Sequence, residues 1–238
     1  MMALDETTRA RLAGVSTATL TTCLFKRGFR NVYLQDVHPL APGLPRMVGE
    51  AFTLRMIPAR EDIDVMAAYA DPEHPQRKAI ETCPAGHVLV IDSRGDPRGA
   101  SAGDILVTRL KLRKVAGIVT DRGFRDSPTI AGLGFPAYPR RPSAPTGPIF
   151  HHAADLGLPI ACGGVAVYPG DVMVGDGEGV VCIPAHLVAE VAEEAAEMTA
   201  YEDFVQERVE AGARLPGLYP ASEASRAEFA RWRRERGR

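Results

Sequence analysis

The sequence predicts an α/β fold, and three stretches carry that expectation. HVLVID (87–92) and VAGIVTD (115–121) are short apolar runs, and DILVTRLKLRK between them reads as a helix starting at Asp104. Strand, helix, strand in that order is the pattern of a parallel crossover, whose strands are buried on both faces and so stay apolar throughout. Further on, LPIACGG, AVYPGDVMVGD and GVVCIP are β segments divided by glycine turns, as antiparallel ribbons are.

The remaining elements follow in order. Residues 5–28 read as a helix with Leu12, Val15, Leu20 and Leu24 facing a core and Gly28 ending it. After a proline-rich passage, GEAFTLRMIPA alternates Ala51, Thr53 and Arg55 with Phe52, Leu54 and Met56, which predicts a strand. The stretch 59–82 reads as a second helix interrupted by DPEHP. FPAYPRRPSAPTGP holds too many prolines for a helix and is expected to be extended. Residues 185–211 form the clearest helix, with Leu187, Val191, Ala195, Met198, Val205 and Val209 on one face. The arginine-rich tail RAEFARWRRERGR is expected to be a solvated helix, with packing of Trp232 on a neighbouring subunit as the alternative. No linker divides the chain. The reading is one domain over 1–238, with a core at about 30–184 and a C-terminal helical extension at 185–238.

Composition narrows the function. The 238 residues are 45% hydrophobic and 24% charged, with a formal net charge of −2. That charge gives no general attraction to nucleic acid or anionic membrane. No apolar run is long enough to span a bilayer, and the first residues lack a signal core, so a cytoplasmic protein is expected. Cys23, Cys83, Cys162 and Cys182 are scattered without zinc spacing and are expected to be reduced and mostly buried.

Chemistry concentrates in residues 99–126. Gly103, Asp104, Ile105 and Leu106 lie at a helix start, where free amides and the helix dipole suit a carboxylate ligand. Asp104 is equally suited simply to cap that helix. Arg125 follows a buried strand, where α/β units place ligand groups, and could grip a carboxylate or enolate oxygen or merely pair with a nearby acid. Asp126 is a hard oxygen donor suited to Mg²⁺ or Mn²⁺, or else the cap of a helix starting at Ser127.

Asp104, twenty intervening residues, then Arg125 and Asp126 resemble the D-x20-R-D signature of the 4-hydroxy-4-methyl-2-oxoglutarate aldolase family, which includes the RraA-like regulators of ribonuclease activity. VAGIVTDRGFRD is similar to that family's strand and DGxxRD turn, and VYPGDVMVGDGEGVVCIPAHLVAEV to the segment before its final helix. The resemblance implies a β/β/α swivelling-type sandwich with N- and C-terminal helical extensions. It implies a metal-dependent pyruvate aldolase that cleaves 4-hydroxy-2-oxo acids, with oxaloacetate decarboxylation open to the same machinery. Asp126 would ligate the Mg²⁺ or Mn²⁺, Arg125 would bind the 2-oxo acid, and amides of Gly103 to Leu106 would hold its carboxylate. Asp104 would orient a water for proton transfer. A homotrimer or homohexamer is implied, in which an acid of the C-terminal helix, Glu202, could complete a neighbour's site. The family has glycine where this chain has Arg122, which is expected to point outward as a surface or interface charge, or inward to read a second substrate group.

Two other functions stand beside the aldolase: a binding protein that masks a ribonuclease or helicase, and a lyase or hydrolase of sugar-derived 2-oxo-3-deoxy acids. Lys26, Lys78, Lys111 and Lys114 lack the strand-end setting of a Schiff-base lysine, which favours the metal route. His151–His152, Arg140–Arg141 and the Asp96/Arg98 loop are weaker candidates.

Overall fold

The computed structural model describes residues 4–236. Two helices, α1 (Glu6–Ala13) and α2 (Thr17–Lys26), replace the single one expected over 5–28. The break is local: Gly14 closes α1, and the Ser16 side chain restarts the helix by accepting from the Thr19 amide at 3.1 Å. Strand β1 (Met47–Pro58) follows. The helix expected over 59–82 is mostly absent. A 3-10 turn forms at Met66–Ala70, and α-helix begins only at α3 (Pro75–Thr82), where Pro75 occupies the first helical position.

The crossover comprises β2 (Val88–Asp92), β3 (Ala100–Ala102), α4 (Asp104–Leu112) and β4 (Gly117–Thr120). Next come β5 (Gly123–Phe124), α5 (Ser127–Ala131), β6 (Ala137–Tyr138) and β7 (Arg141–Pro142). Strands β8 (His151–Leu156), β9 (Ile160–Cys162), β10 (Val165–Val167), β11 (Val172–Gly175) and β12 (Val180–Ile183) lead to helices α6 (Val188–Glu210) and α7 (Glu223–Glu235).

The main sheet runs β12-β11-β1-β2-β4-β6, with β8 also on β1. Strand β1 joins its two halves. Met47–Glu50 pair antiparallel with β11, whereas Ala51–Arg55 pair parallel with β2. The parallel pairing of β2 with β4 confirms the crossover, and β9–β10 and β11–β12 are the antiparallel ribbons. Because successive side chains point to opposite faces, Leu89 and Ile91 bury against Ile80, Val107, Leu110 and Ile130 of the helical layer. Val88 and Val90 bury on the other face with Ile160, Cys162 and Val165. A third core joins Leu12, Leu20 and Leu24 to Val174, Val181 and Val191. All four cysteines are free and buried, and no described helix is long and apolar enough to cross a membrane.

The tail differs from expectation. Helix α7 docks on α6 of its own chain, burying Phe229 and Trp232 beside Tyr201 and Phe204 with ring centroids 5.2–5.9 Å apart. The Trp232 indole donates to Glu207 at 3.0 Å. Its arginines remain hydrated while covering the rings, with the Arg236 guanidinium 4.5 Å from the Trp232 centroid. Aromatic burial therefore decides the helix's position, and the arginines accommodate it. Trp232→Ala is expected to lower the unfolding free energy by about 3 kcal/mol. A urea titration showing a loss below about 0.5 kcal/mol, the range of ordinary surface changes, would mean that α7 is undocked in solution.

Candidate active site

Strands β3 and β5 pair in parallel, Ala102 opposite Phe124, and the Arg125 amide donates to the Ala102 carbonyl at 3.1 Å. Each strand then enters a helix, β3 through Gly103 into α4 and β5 through Arg125 and Asp126 into α5. Two strand-to-helix junctions therefore stand side by side. They line one wall of a cleft of about 590 Å³. Gly103, Asp104, Ile105, Leu106, Arg125 and Asp126 all line it, so every expected site residue of this region except Arg122 is brought together.

The local geometry is tight. A Cβ on Gly103 would lie 2.8 Å from Asp126 Oδ2 and 3.1 Å from Arg125 Cγ. Gly103 has φ −115°, open to any residue, so its glycine is required for space. Asp126 adopts the left-handed conformation (φ 54°, ψ 31°), unusual outside glycine and a mild strain. It stands at the cap of α5 yet makes no side-chain capping bond. Its carboxylate instead accepts from Arg125 Nε at 3.2 Å, and both side chains remain partly exposed to the cleft. Asp104 Oδ1 accepts from the Ile105 amide at 2.8 Å, so one of the expected anion-binding amides already has a carboxylate partner.

Arg122 does not point outward. It is 0% exposed and does not line the cleft; it lies behind the wall, with Nη2 donating to the Gly147 carbonyl at 3.3 Å. Room for it exists because residue 99 is glycine: a Cβ there would sit 2.0 Å from Arg122 Nη2. Burial lowers the guanidinium pKa to about 10, which still leaves it charged at neutral pH. His151 is buried beside it, with neither ring nitrogen hydrogen-bonded among the described residues. Burial first, then the charges of Arg122 and Arg94, push its pKa down to about 4.

Of the weaker candidates, His152, Arg140 and the Asp96/Arg98 loop have structural partners. His152 Nδ1 lies 2.8 Å from Asp64, and Arg98 pairs with Asp96. Arg140 links the Gly95 carbonyl to Asp36, both at 2.7 Å. Within its own chain Glu202 accepts from Thr19 Oγ1 at 3.1 Å and lines a different cavity. The sequence reading missed the opposite wall, formed by Met66, Tyr69, Gln76, Arg77, Thr146 and Gly147. These residues lie on the irregular 59–74 segment, on α3 and near the end of the proline-rich passage 135–148, with no motif to join them.

The RraA-like family model, described as Aldolase/RraA, matches residues 17–182. The chain belongs to the RraA-like family. Its mixed α/β architecture with a curled sheet is the one found among RraA-like structures. RraAS2 of Streptomyces coelicolor, described as an unusual member of the RNase ES inhibitor RraA family, is 29% identical, with a TM-score of 0.74 over 87% of this chain and 98% of its own. An uncharacterized protein from Pseudomonas syringae, 24% identical, shares the fold at a TM-score of 0.81 over 93% and 96% of the two chains. A "Putative 4-hydroxy-4-methyl-2-oxoglutarate aldolase" of Halalkalibacterium halodurans is 36% identical over 55% of this chain. That match spans 61% of the relative's length.

The family implies a divalent metal, and the donors present fit one that keeps most of its water. Among the described residues no three metal-binding side chains cluster, so a closed protein cage is absent. Asp126 offers one carboxylate, free of capping duty and facing an open cleft, which suits Mg²⁺ or Mn²⁺.

Behind this RraA-like cleft, His151 sets a pH dependence. Above pH 6.5 the ring is neutral folded and unfolded, and its contribution to stability is complete. Between pH 6.5 and about 4 the unfolded chain binds a proton that the folded one refuses, so stability falls as pH falls and levels off below. The loss attributable to His151 is expected to reach about 3 kcal/mol, read as the difference between wild type and His151→Gln in urea titrations across that range. A His151 ring that titrates above pH 6 by NMR contradicts this.

Proposed function

We propose that this RraA-like chain is a divalent-metal-dependent pyruvate aldolase that cleaves a 4-hydroxy-2-oxo acid to pyruvate and a carbonyl compound. One observation carries the reading: the Asp126 carboxylate, the Arg125 guanidinium and the start of α4 meet at Gly103 on one open cleft. Asp126 holds Mg²⁺ or Mn²⁺, which when bound polarises the substrate's 2-oxo group. Arg125 brings its guanidinium to the oxygen on which negative charge develops. The α4 junction from Gly103 to Leu106, apart from the Ile105 amide that Asp104 occupies, receives the C1 carboxylate. Asp104 commits one oxygen to the Ile105 amide, which orients the other toward a water that accepts the 4-hydroxyl proton and returns one to the pyruvate carbon. Among the described residues no lysine lines the cleft, which favours this route over a Schiff base.

The same residues serve oxaloacetate decarboxylation, which passes through the same enolate. The proposal also includes a cytoplasmic homotrimer or homohexamer in which Glu202 approaches a neighbour's cleft. The likeness to a protein of the RNase ES inhibitor family favours a second reading, a non-catalytic regulator. A masking surface has no use for a left-handed aspartate beside an arginine inside a cleft, so the enzyme is preferred.

Pyruvate release from a panel of branched dicarboxylic and sugar-derived 4-hydroxy-2-oxo acids, with Mg²⁺, with Mn²⁺ and with chelator, tests the reading. Chelation is expected to abolish turnover, and Arg125→Ala or Asp126→Ala to lower kcat about 100-fold or more. A full panel without metal-dependent pyruvate release overturns the aldolase and leaves the regulator. Gly103→Ala is expected to fold normally but to lose about 10- to 100-fold in kcat, because its methyl group displaces the Asp126 carboxylate. Unchanged kcat in that variant would show that the position of Asp126 is irrelevant to turnover.

A further inference from the structure

The cleft has a second end. Strand β3 runs along it and continues extended through Gly103 (φ −115°, ψ −179°). At roughly 3.3 Å per residue, Ala100 and Gly103 stand about 10 Å apart. Arg125 and Asp126 meet at the Gly103 end. At the Ala100 end, a Cβ on Gly147 would lie 3.1 Å from the Ala100 carbonyl and 3.3 Å from the Tyr69 hydroxyl. Between them, buried Gln76 ties α3 to β3 by donating to the Ser101 carbonyl at 2.6 Å. Its neighbour Arg77 lays its guanidinium over the Tyr69 ring, 4.9 Å from the centroid, and the His74 ring packs on the same tyrosine at 4.5 Å.

Arg77 differs from the other cleft arginine. Arg125 has Asp126 at 3.2 Å, whereas Arg77 has no carboxylate within ion-pair distance among the described residues. Contact with the Tyr69 ring restrains the guanidinium at the cleft wall, and a guanidinium accepts a carboxylate through two parallel hydrogen bonds. The surroundings add to its charge. Arg122 lies behind this end, bonded to the Gly147 carbonyl, and both arginines act on the Tyr69 phenol. Two arginines and one carboxylate, Asp64, which pairs with His152, act on this end of the cleft, so positive charge is in excess there.

We propose that Arg77 is a specificity-determining residue that grips a second carboxylate at the far end of the substrate, so that the cleft prefers dicarboxylic 2-oxo acids to monocarboxylic ones of equal length. This rests on the reading of Arg125 and Asp126 as the pyruvate end. A neutral polyhydroxylated tail would leave Arg77 without a counter-charge.

Calorimetric titration of the full chain with Mg²⁺ tests it, using pyruvate and two matched pairs: 2-oxoglutarate against 2-oxopentanoate, and 2-oxoadipate against 2-oxohexanoate. Wild type is expected to bind the dicarboxylate of at least one pair about tenfold or more tightly than its match. Arg77→Met is expected to bring that ratio to about one, and Arg77→Lys to restore part of it. The ratio is the decisive readout, because general damage to the cleft weakens both members alike. Pyruvate binding with equal affinities within both pairs, or a preference that survives Arg77→Met, overturns the role of Arg77 alone. Failure of wild type to bind pyruvate or any of the four acids overturns the pyruvate end and this proposal together.

Discussion

The parallel pairing of two very short strands, β3 and β5, is the constraint on which the rest of the site depends. One backbone hydrogen bond, from the Arg125 amide to the Ala102 carbonyl, aligns the places where both strands turn into helices. With no side chain at Gly103, the second junction can close against the first, and Asp126 occupies the space a methyl group would need. Stability does not explain this arrangement. A half-exposed Arg–Asp pair contributes at most about 1 kcal/mol, and a left-handed aspartate costs a comparable amount. What the pairing produces is a carboxylate and a guanidinium held beside a helix start in an open cleft.

The layers behind the site exist to hold that pairing in place. Parallel strands β2 and β4 are buried on both faces, so their apolar runs form the rigid wall from which β3 and β5 continue. Asp121, at the end of β4, accepts from the Ser93 and Gly95 amides and fixes the loop leading into β3. Burial raises the pKa of this carboxyl, while the amide hydrogen bonds act in the opposite direction. It is a structural acid in the same strand-end region as Asp126, the proposed metal ligand. The distinction between Asp121 and Asp126 lies in what their oxygens face, backbone amides in one case, and Arg125 and the open cleft in the other.

The parts legible in the sequence were those dictated by local periodicity or by fixed spacing. The apolar runs of β2 and β4 required burial on both faces, and Asp104 with Arg125–Asp126 stood out through the spacing of the family signature they resemble. The parts that were not legible depend on competition between distant residues. A helix over 59–82 yields to Pro72 and Pro75 and to the packing of Tyr69 at the cleft. The α7 arginines suggested solvent, but two aromatic rings outweighed them. Arg77 carries no motif, and its place in the cleft depends on the docking of α3, to which the Gln76 bond to β3 and the burial of Ala79 and Ile80 contribute.

Arg122 was the largest misreading, since a charged side chain is ordinarily kept near water unless paired. Its burial has a consequence for substitution. A Cβ at residue 99 would sit 2.0 Å from Arg122 Nη2, so a side chain there and the guanidinium compete for one space. The effects of replacing the two residues are therefore coupled, and a smaller side chain at 122 would relieve what a methyl group at 99 costs.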